Sequence, residues 1–341
     1  MFTQRLVHAI PVSIQPQKRL KFVRTSLLAG VSLQSAGGPL GRQVAERTKA
    51  LPVQPGFVPT HLIVIEKNKY IDGLDSRMTA EGKSWDKGEY SFIDLDGISR
   101  QVLVAITLRG HCSWQLGGHH TFDFSDKDFP YSSAGYSHRD SESVSGLLSH
   151  SAPNDWYRDV KASELRMACK QLDCYYRSGT WWVDRLSVAL GYLWSGLTTT
   201  HSELSFVSFC MALEAVASTS SNEITHILAE RCALLAEASP ERRLSMYYEV
   251  KDLYGLRSKI VHGRSAPRKG PITQESLAIT AKQSRVPTRA LFRLLAVTVA
   301  VINGVLGRPD LLTLLHVRRS EDKASEALNE YFQRLFLCGK A

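Results

Sequence analysis

The stretch Asp252-Leu253-Tyr254-Gly255-Leu256-Arg257-Ser258-Lys259-Ile260-Val261-His262-Gly263 decides how the C-terminal half of this chain is read. It sets an arginine and a histidine five positions apart at the end of a helical pattern, and Gly263 supplies the stop just after His262. Arginine is permanently charged and forks onto phosphate oxygens, while histidine gives and takes protons near neutral pH. The pair therefore suits work on a phosphodiester. Spacing alone carries little weight, because a chain this rich in arginine and histidine shows such a pair about once by chance. The surroundings have to carry the reading.

Upstream and downstream of the motif the apolar residues fall three and four apart, as in Leu186, Leu190, Leu193 and Leu197, or Phe206, Phe209, Leu213 and Val216. This period predicts helices over about 160–178, 181–197, 202–218, 222–237, 241–262, 286–306 and 321–337. Pro240 opens one of them, and Pro309 follows Gly307 at a stop. Before residue 150 the pattern differs. Short alternating or apolar runs predict strands at Val7–Ile14, Leu20–Val23, Leu62–Ile65, Tyr90–Leu95, Gln101–Leu108 and His120–Phe124, with turn signals such as Gly37-Gly38-Pro39 and Asp96-Gly97 between them. A Ser, Gly, Tyr and Pro-rich stretch between Phe129 and Asn154 reads as a linker. The expected fold class is α+β, with a β-rich N-terminal domain over 1–150 and an all-α domain over 156–341.

The 341 residues, 43% hydrophobic and 22% charged, have the composition of a globular protein with room for two cores. The net charge of +9 is uneven. Residues 1–60 hold eight Lys or Arg against the single acid Glu46, and a second basic stretch runs from Arg264 to Arg289. Such asymmetry favours a polyanionic partner, with a merely solvated basic surface as the alternative. The six scattered cysteines read as reduced, structural thiols of a cytoplasmic protein. No run of eighteen apolar residues occurs, so no membrane span is expected. The acid-free start from Met1 to Ala45 is superficially like an organellar presequence, but Pro11, Pro16 and the alternation of Val12-Ser13-Ile14 suit strands better.

Three blocks of the helical half, Phe206 to Val216, Ile227 to Leu235 and Val250 to Gly263, resemble the Apea-like branch of the HEPN superfamily over roughly residues 180–310. The last block, the Arg-x-x-x-x-His element in its helical context, is the most specific. The resemblance implies a small helical bundle and, among catalytic members, a metal-independent endoribonuclease acting as a toxin or antiviral-defence effector. It also implies a homodimer in which two such elements form one composite site. Carried onto this chain, Arg257 and His262 are the catalytic pair, with Ser258 at the polar position after the arginine. Many relatives carry Asn or Asp there, and serine departs from that pattern.

The chemistry stands on its own terms. Metal-free RNA cleavage uses the ribose 2′-hydroxyl as nucleophile and needs a base, an acid for the leaving oxygen and positive charge on the transition state. One histidine does not readily serve both ends, whereas a two-fold site supplies two histidines and two arginines. Residues five apart on a helix are rotated by about 140°, so Arg257 and His262 of one chain do not share a face. Glu214, in an apolar stripe, needs a partner; it is an auxiliary candidate for pairing the motif arginine or tuning the histidine. Arg264, Arg268 and Lys269 are the candidate RNA-binding residues behind the motif. The competing structural reading pairs Arg257 with Glu214 or Glu230 and lets His262 cap carbonyls at the helix end.

Other signals are weaker. His111-Cys112 and His119-His120 match no zinc spacing, and neither a metal nor a cofactor is expected. Tyr175-Tyr176, Trp181-Trp182 and Trp194 could stack on bases, but aromatic residues at helical spacing more often fill cores. Phosphate-loop, dinucleotide and His-Glu-x-x-His patterns are absent from the sequence. The expected function is RNA cleavage at a dimer site, with the N-terminal domain sensing a trigger or binding a regulatory partner protein. The alternative is a catalytically silent module of the same fold that binds RNA or protein.

Overall fold

The computed structural model describes residues 6–15, 20, 22–48, 58–66, 69–70, 72, 95–110, 113–116, 119–123, 132–134, 156–177, 184–199, 201–219, 224–237, 239–262, 286–316 and 321–338. The architecture is α+β, and the chain divides into two compact units, one ending at Arg177 and the other following it.

The first unit is built on a seven-stranded antiparallel sheet. Its centre is β1 (Leu6–Gln15), flanked by β4 (His61–Glu66) on one edge and by β5 (Ser113–Leu116) and β6 (His119–Asp123) on the other. Beyond β4 lie β3 (Val31–Ser35) and β2 (Arg24–Leu28), and β7 (Ser132–Ala134) pairs with β6. Val7, Ala9, Ile10, Val12 and Ile14 are buried at successive and alternate positions, as a central strand covered on both faces requires. The β2–β3 hairpin turns at Ala29-Gly30, where Gly30 has φ 71° and an added Cβ would lie 2.4 Å from the Tyr70 amide nitrogen. Helix α1 (Pro39–Thr48) lays Leu40 and Val44 against Val7, Ala9, Leu62 and Val64. Helices α2 (Leu95–Gly110) and α3 (Ala162–Arg177) pack together, tied by Gln101 Nε2 donating to the Cys169 carbonyl at 2.6 Å.

Three sequence expectations are corrected in this unit. Gln101–Leu108 is not a strand but the middle of α2. Every residue from Gln101 to Leu108 is buried, and a helix covered all round loses the 3.6-residue alternation that would have marked it, leaving a β-branched run that imitates a strand. Leu20–Val23 contributes only an isolated parallel bridge from Leu20 to Val160, and the strand begins at Arg24. The boundary falls after Arg177 rather than near residue 156, because α3 packs on α2 and β2. Of Tyr90–Leu95, residues 90–94 lie outside the described residues and Leu95 opens α2. The Phe129–Asn154 stretch holds β7, and its remainder lies outside them.

The second unit is helical: α4 (Arg185–Thr198), α5 (Ser202–Ala217), α6 (Ile224–Ala236), α7 (Pro240–Val261), α8 (Thr288–Leu306), α9 (Pro309–His316) and α10 (Glu321–Cys338). Of these, α9 was not anticipated. Helix α5 packs on α4, α6, α7 and α8, and its Phe206 and Phe209 are fully buried; each such side chain contributes about 1.5–3 kcal/mol by leaving water. Helix α8 is the other hub, with eleven buried residues. It is the one described helix long and apolar enough to cross a membrane, and 61% of that window is buried inside the bundle.

Two local devices set how the helices meet. Gly196 and Gly304 lie where an added Cβ would come within 2.4 Å of the Phe209 ring and 2.0 Å of the Leu235 carbonyl oxygen, so α4 and α8 approach α5 and α6 at van der Waals limits. Arginines close helix C-termini. Arg185 and Arg231 donate to the Ala215, Ala217 and Ser218 carbonyls at the end of α5, and Arg308 donates to Leu234 and Leu235 at the end of α6. Each positive charge meets unpaired carbonyls and the negative end of a helix dipole.

Two outcomes follow. Gly304→Ala should lower unfolding free energy by about 1–3 kcal/mol in denaturant titrations, since backbone must move; an unaffected variant would show that α6 and α8 separate at little cost. In the first unit, His61 is buried with Thr60 Oγ1 2.9 Å from Nδ1, and burial pushes its pKa down to about 4. The unfolded state binds the proton near pH 6.5 and the folded state does not. Stability should therefore fall by about 1.4 kcal/mol per pH unit from pH 6.5 towards 4, and His61→Gln should flatten that slope.

Candidate functional site

Helix α7 carries the motif, and its start is encoded locally. Ser239 caps it by accepting from the Arg242 amide, Pro240 occupies the first turn, and Ser239 Oγ also donates to Glu241 at 2.8 Å. The helix runs twenty-two residues and ends at Val261, with His262 as the capping residue and its amide donating to the Ser258 carbonyl at 3.1 Å. His262 thus occupies the last turn, as Gly263 implied.

Glu214 on α5 gathers the inner face of this helix. Tyr254 Oη donates to Glu214 Oε1 at 2.7 Å, and Arg257 Nη2 lies 3.5 Å from the same oxygen. The Arg257 guanidinium sits 5.3 Å from the centroid of the Tyr254 ring, close enough for a cation–π contact. About a quarter of each charged side chain is exposed, and Arg257 Nε is buried with no hydrogen-bond partner. The cluster perturbs its neighbours. Burial, then the hydrogen bond to Glu214 and its charge, raise the Tyr254 phenol, while Arg257 opposes the rise. Burial and the Glu214 carboxylate push the Cys210 thiol up to about 12. Cys210, Cys169 and Cys232 are buried free thiols, and burial raises all three.

Of the residues singled out in the sequence, the structure brings Arg257 and Glu214 together and leaves Ser258 and His262 exposed, with His262 about 140° round the helix from Arg257. The guanidinium faces its own bundle and the imidazole faces away, the consequence of a five-residue separation on a regular helix. Arg264, Arg268 and Lys269 lie outside the described residues, as do His111 and Cys112. No cluster of three or more metal-binding side chains occurs among the described residues. Tyr254 was overlooked as a member of the site. The signal was present, since it lies three residues before Arg257 and so shares its helix face.

The arrangement can hold a guanidinium in a fixed, half-buried position and present an imidazole to solvent one turn further on. Comparisons with protein-family models, with curated proteins and with solved structures give no match.

Glu214→Ala should cost about 1–3 kcal/mol of stability, because it strands the Tyr254 hydroxyl and a half-buried guanidinium. Glu214→Gln keeps an acceptor for Tyr254 and should cost less. Equal losses in thermal or denaturant unfolding would show that the charge of Glu214, and not its hydrogen bond, holds the cluster.

Proposed function

We propose that this protein is a metal-independent endoribonuclease of HEPN type, acting in the cytoplasm as a toxin or antiviral-defence effector. The observation that carries the reading is the exposed His262 at the end of α7, one turn beyond an arginine fixed by Glu214 and Tyr254, in the sequence context that resembles that superfamily. In the reaction, a base removes the proton of the ribose 2′-hydroxyl and the 2′-oxygen attacks phosphorus. The bond from phosphorus to the 5′-oxygen breaks, and an acid protonates that oxygen. The products are a 2′,3′-cyclic phosphate and a 5′-hydroxyl. His262 from each of two chains would serve as base and acid. Arg257 would orient the helix end and lend positive charge, and the basic stretch from Arg264 would hold flanking phosphates. The N-terminal unit would receive a trigger or regulatory partner.

A second reading has its own observation. Arg257 is already engaged by a carboxylate on its own bundle, as in a structural ion pair, and this favours a catalytically silent module that binds RNA or protein. His262→Ala distinguishes the two. Under the first reading it lowers RNA cleavage by about 10²–10⁴-fold, leaves circular dichroism unchanged, and spares binding. The cleaved ends carry cyclic phosphate, and a 2′-deoxy substitution at the scissile nucleotide blocks the cut. Wild-type protein that binds RNA and releases no new ends supports the second reading.

A further inference from the structure

A cavity of about 370 Å³ opens in the second unit between α6 and α10, and neither Arg257 nor His262 lines it. Helix α6 contributes Ile227, Glu230 and Arg231, and α10 contributes Phe332, Gln333 and Phe336 from adjacent turns. Its size falls in the range of sites that hold small organic molecules, about 300–1,000 Å³. One wall is apolar and only partly covered. Phe336 is 60% exposed and Leu337, which also lines the cavity, is 79% exposed.

The two charged groups of the lining differ in what is left to them. Arg231 is buried, and its Nη1 donates to the Ala217 carbonyl and to Thr219 Oγ1, each at 2.8 Å, while Nη2 donates to Asn329 Oδ1. Its guanidinium also covers the Phe332 ring, 4.7 Å from the centroid. Arg231 is therefore a tie between the end of α5 and α10. Glu230 is half-buried, and no hydrogen bond or ion pair engages its carboxylate among the described residues. It lies near enough to oppose the fall that burial imposes on the Arg231 guanidinium.

A half-buried carboxylate without a partner is costly, and a carboxylate beside an aromatic wall is the combination that recognises an organic cation. Phosphate is disfavoured by Glu230 and, on the preceding turns of α10, by the exposed Glu326 and Glu330. A neutral apolar molecule would fill the space and leave Glu230 unpaired. We propose that this cavity binds a small organic cation, a protonated amine with an aromatic or aliphatic body. Its ammonium would sit on Glu230 and its apolar part against Ile227, Phe336 and Leu337. The site stands independently of the nuclease reading.

Isothermal titration calorimetry on the full-length protein tests this with 2-phenylethylamine and hexylamine, their uncharged counterparts 2-phenylethanol and hexanol, and 3-phenylpropionate. Both amines should bind with dissociation constants below about 1 mM, the alcohols at least about 10-fold more weakly, and the carboxylate not measurably. Glu230→Gln keeps the side-chain size and should weaken amine binding by about 10-fold or more. Phe336→Ala, at an exposed position, should weaken 2-phenylethylamine by about 5-fold. Both variants should keep the helical circular dichroism of wild type. Absence of binding by either amine, equal affinity for amine and alcohol, or amine binding unchanged in Glu230→Gln overturns the proposal. Binding of 3-phenylpropionate as tight as that of the amines also overturns it. A lysine-bearing amphipathic peptide that binds where the free amines do not, and is lost in both variants, overturns the small-molecule assignment in favour of a protein partner.

Discussion

One carboxylate ties the inner face of α7 to α5, because Tyr254 and Arg257 reach the same oxygen of Glu214 from adjacent turns. A hydrogen bond and an ion pair converging on one oxygen restrain how the helix turns, and Val250 and Leu253 are buried with them. Everything on the outer face follows from that setting, including the exposure of Leu244, Tyr248, Gly255, Ser258 and His262. A carboxylate in the apolar stripe of α5 would be costly alone. Here it is matched by a buried hydroxyl and a guanidinium, and the two charged side chains keep about a quarter of their surface in water.

The bundle uses arginine in a second way. Arg185, Arg231 and Arg308 are spent on carbonyls at helix ends, and Arg231 also stacks 4.7 Å from the centre of the Phe332 ring. These charges count towards the net +9 but are tied to the fold. Attraction for a polyanion therefore falls to the other basic residues, among them the stretch from Arg264 to Arg289 and the N-terminal cluster.

Legibility differed sharply between the two units, for one physical reason. Helices half-covered by neighbours keep the 3.6-residue alternation of apolar and polar positions, so α3 to α8 and α10 could be placed from sequence to within a few residues. A helix buried on all sides has no such alternation, and Gln101–Leu108 was accordingly mistaken for a strand. The hairpin from Arg24 to Ser35 was not anticipated beyond the strand expected at Leu20–Val23, and along Val31–Ser35 the buried positions are consecutive rather than alternating. Among the site residues, Arg257, His262 and Glu214 carried recognisable signals. Tyr254 did not stand out, since a tyrosine on an apolar face reads as core until its hydroxyl is seen to meet a carboxylate.

By itself the sequence determined the α+β class, the helical periods of the second half, the start of α7 at Ser239-Pro240 and its end at His262. These are short-range properties, settled by side-chain spacing and by capping groups within one turn. Only the tertiary structure decided that α3 belongs with the sheet, that Glu214 and not Glu230 pairs with Arg257, and that the face carrying Arg257 is the one turned into the bundle. Those outcomes depend on which helix lies against which, and residues forty positions apart along the chain come into contact only when packing brings their helices together.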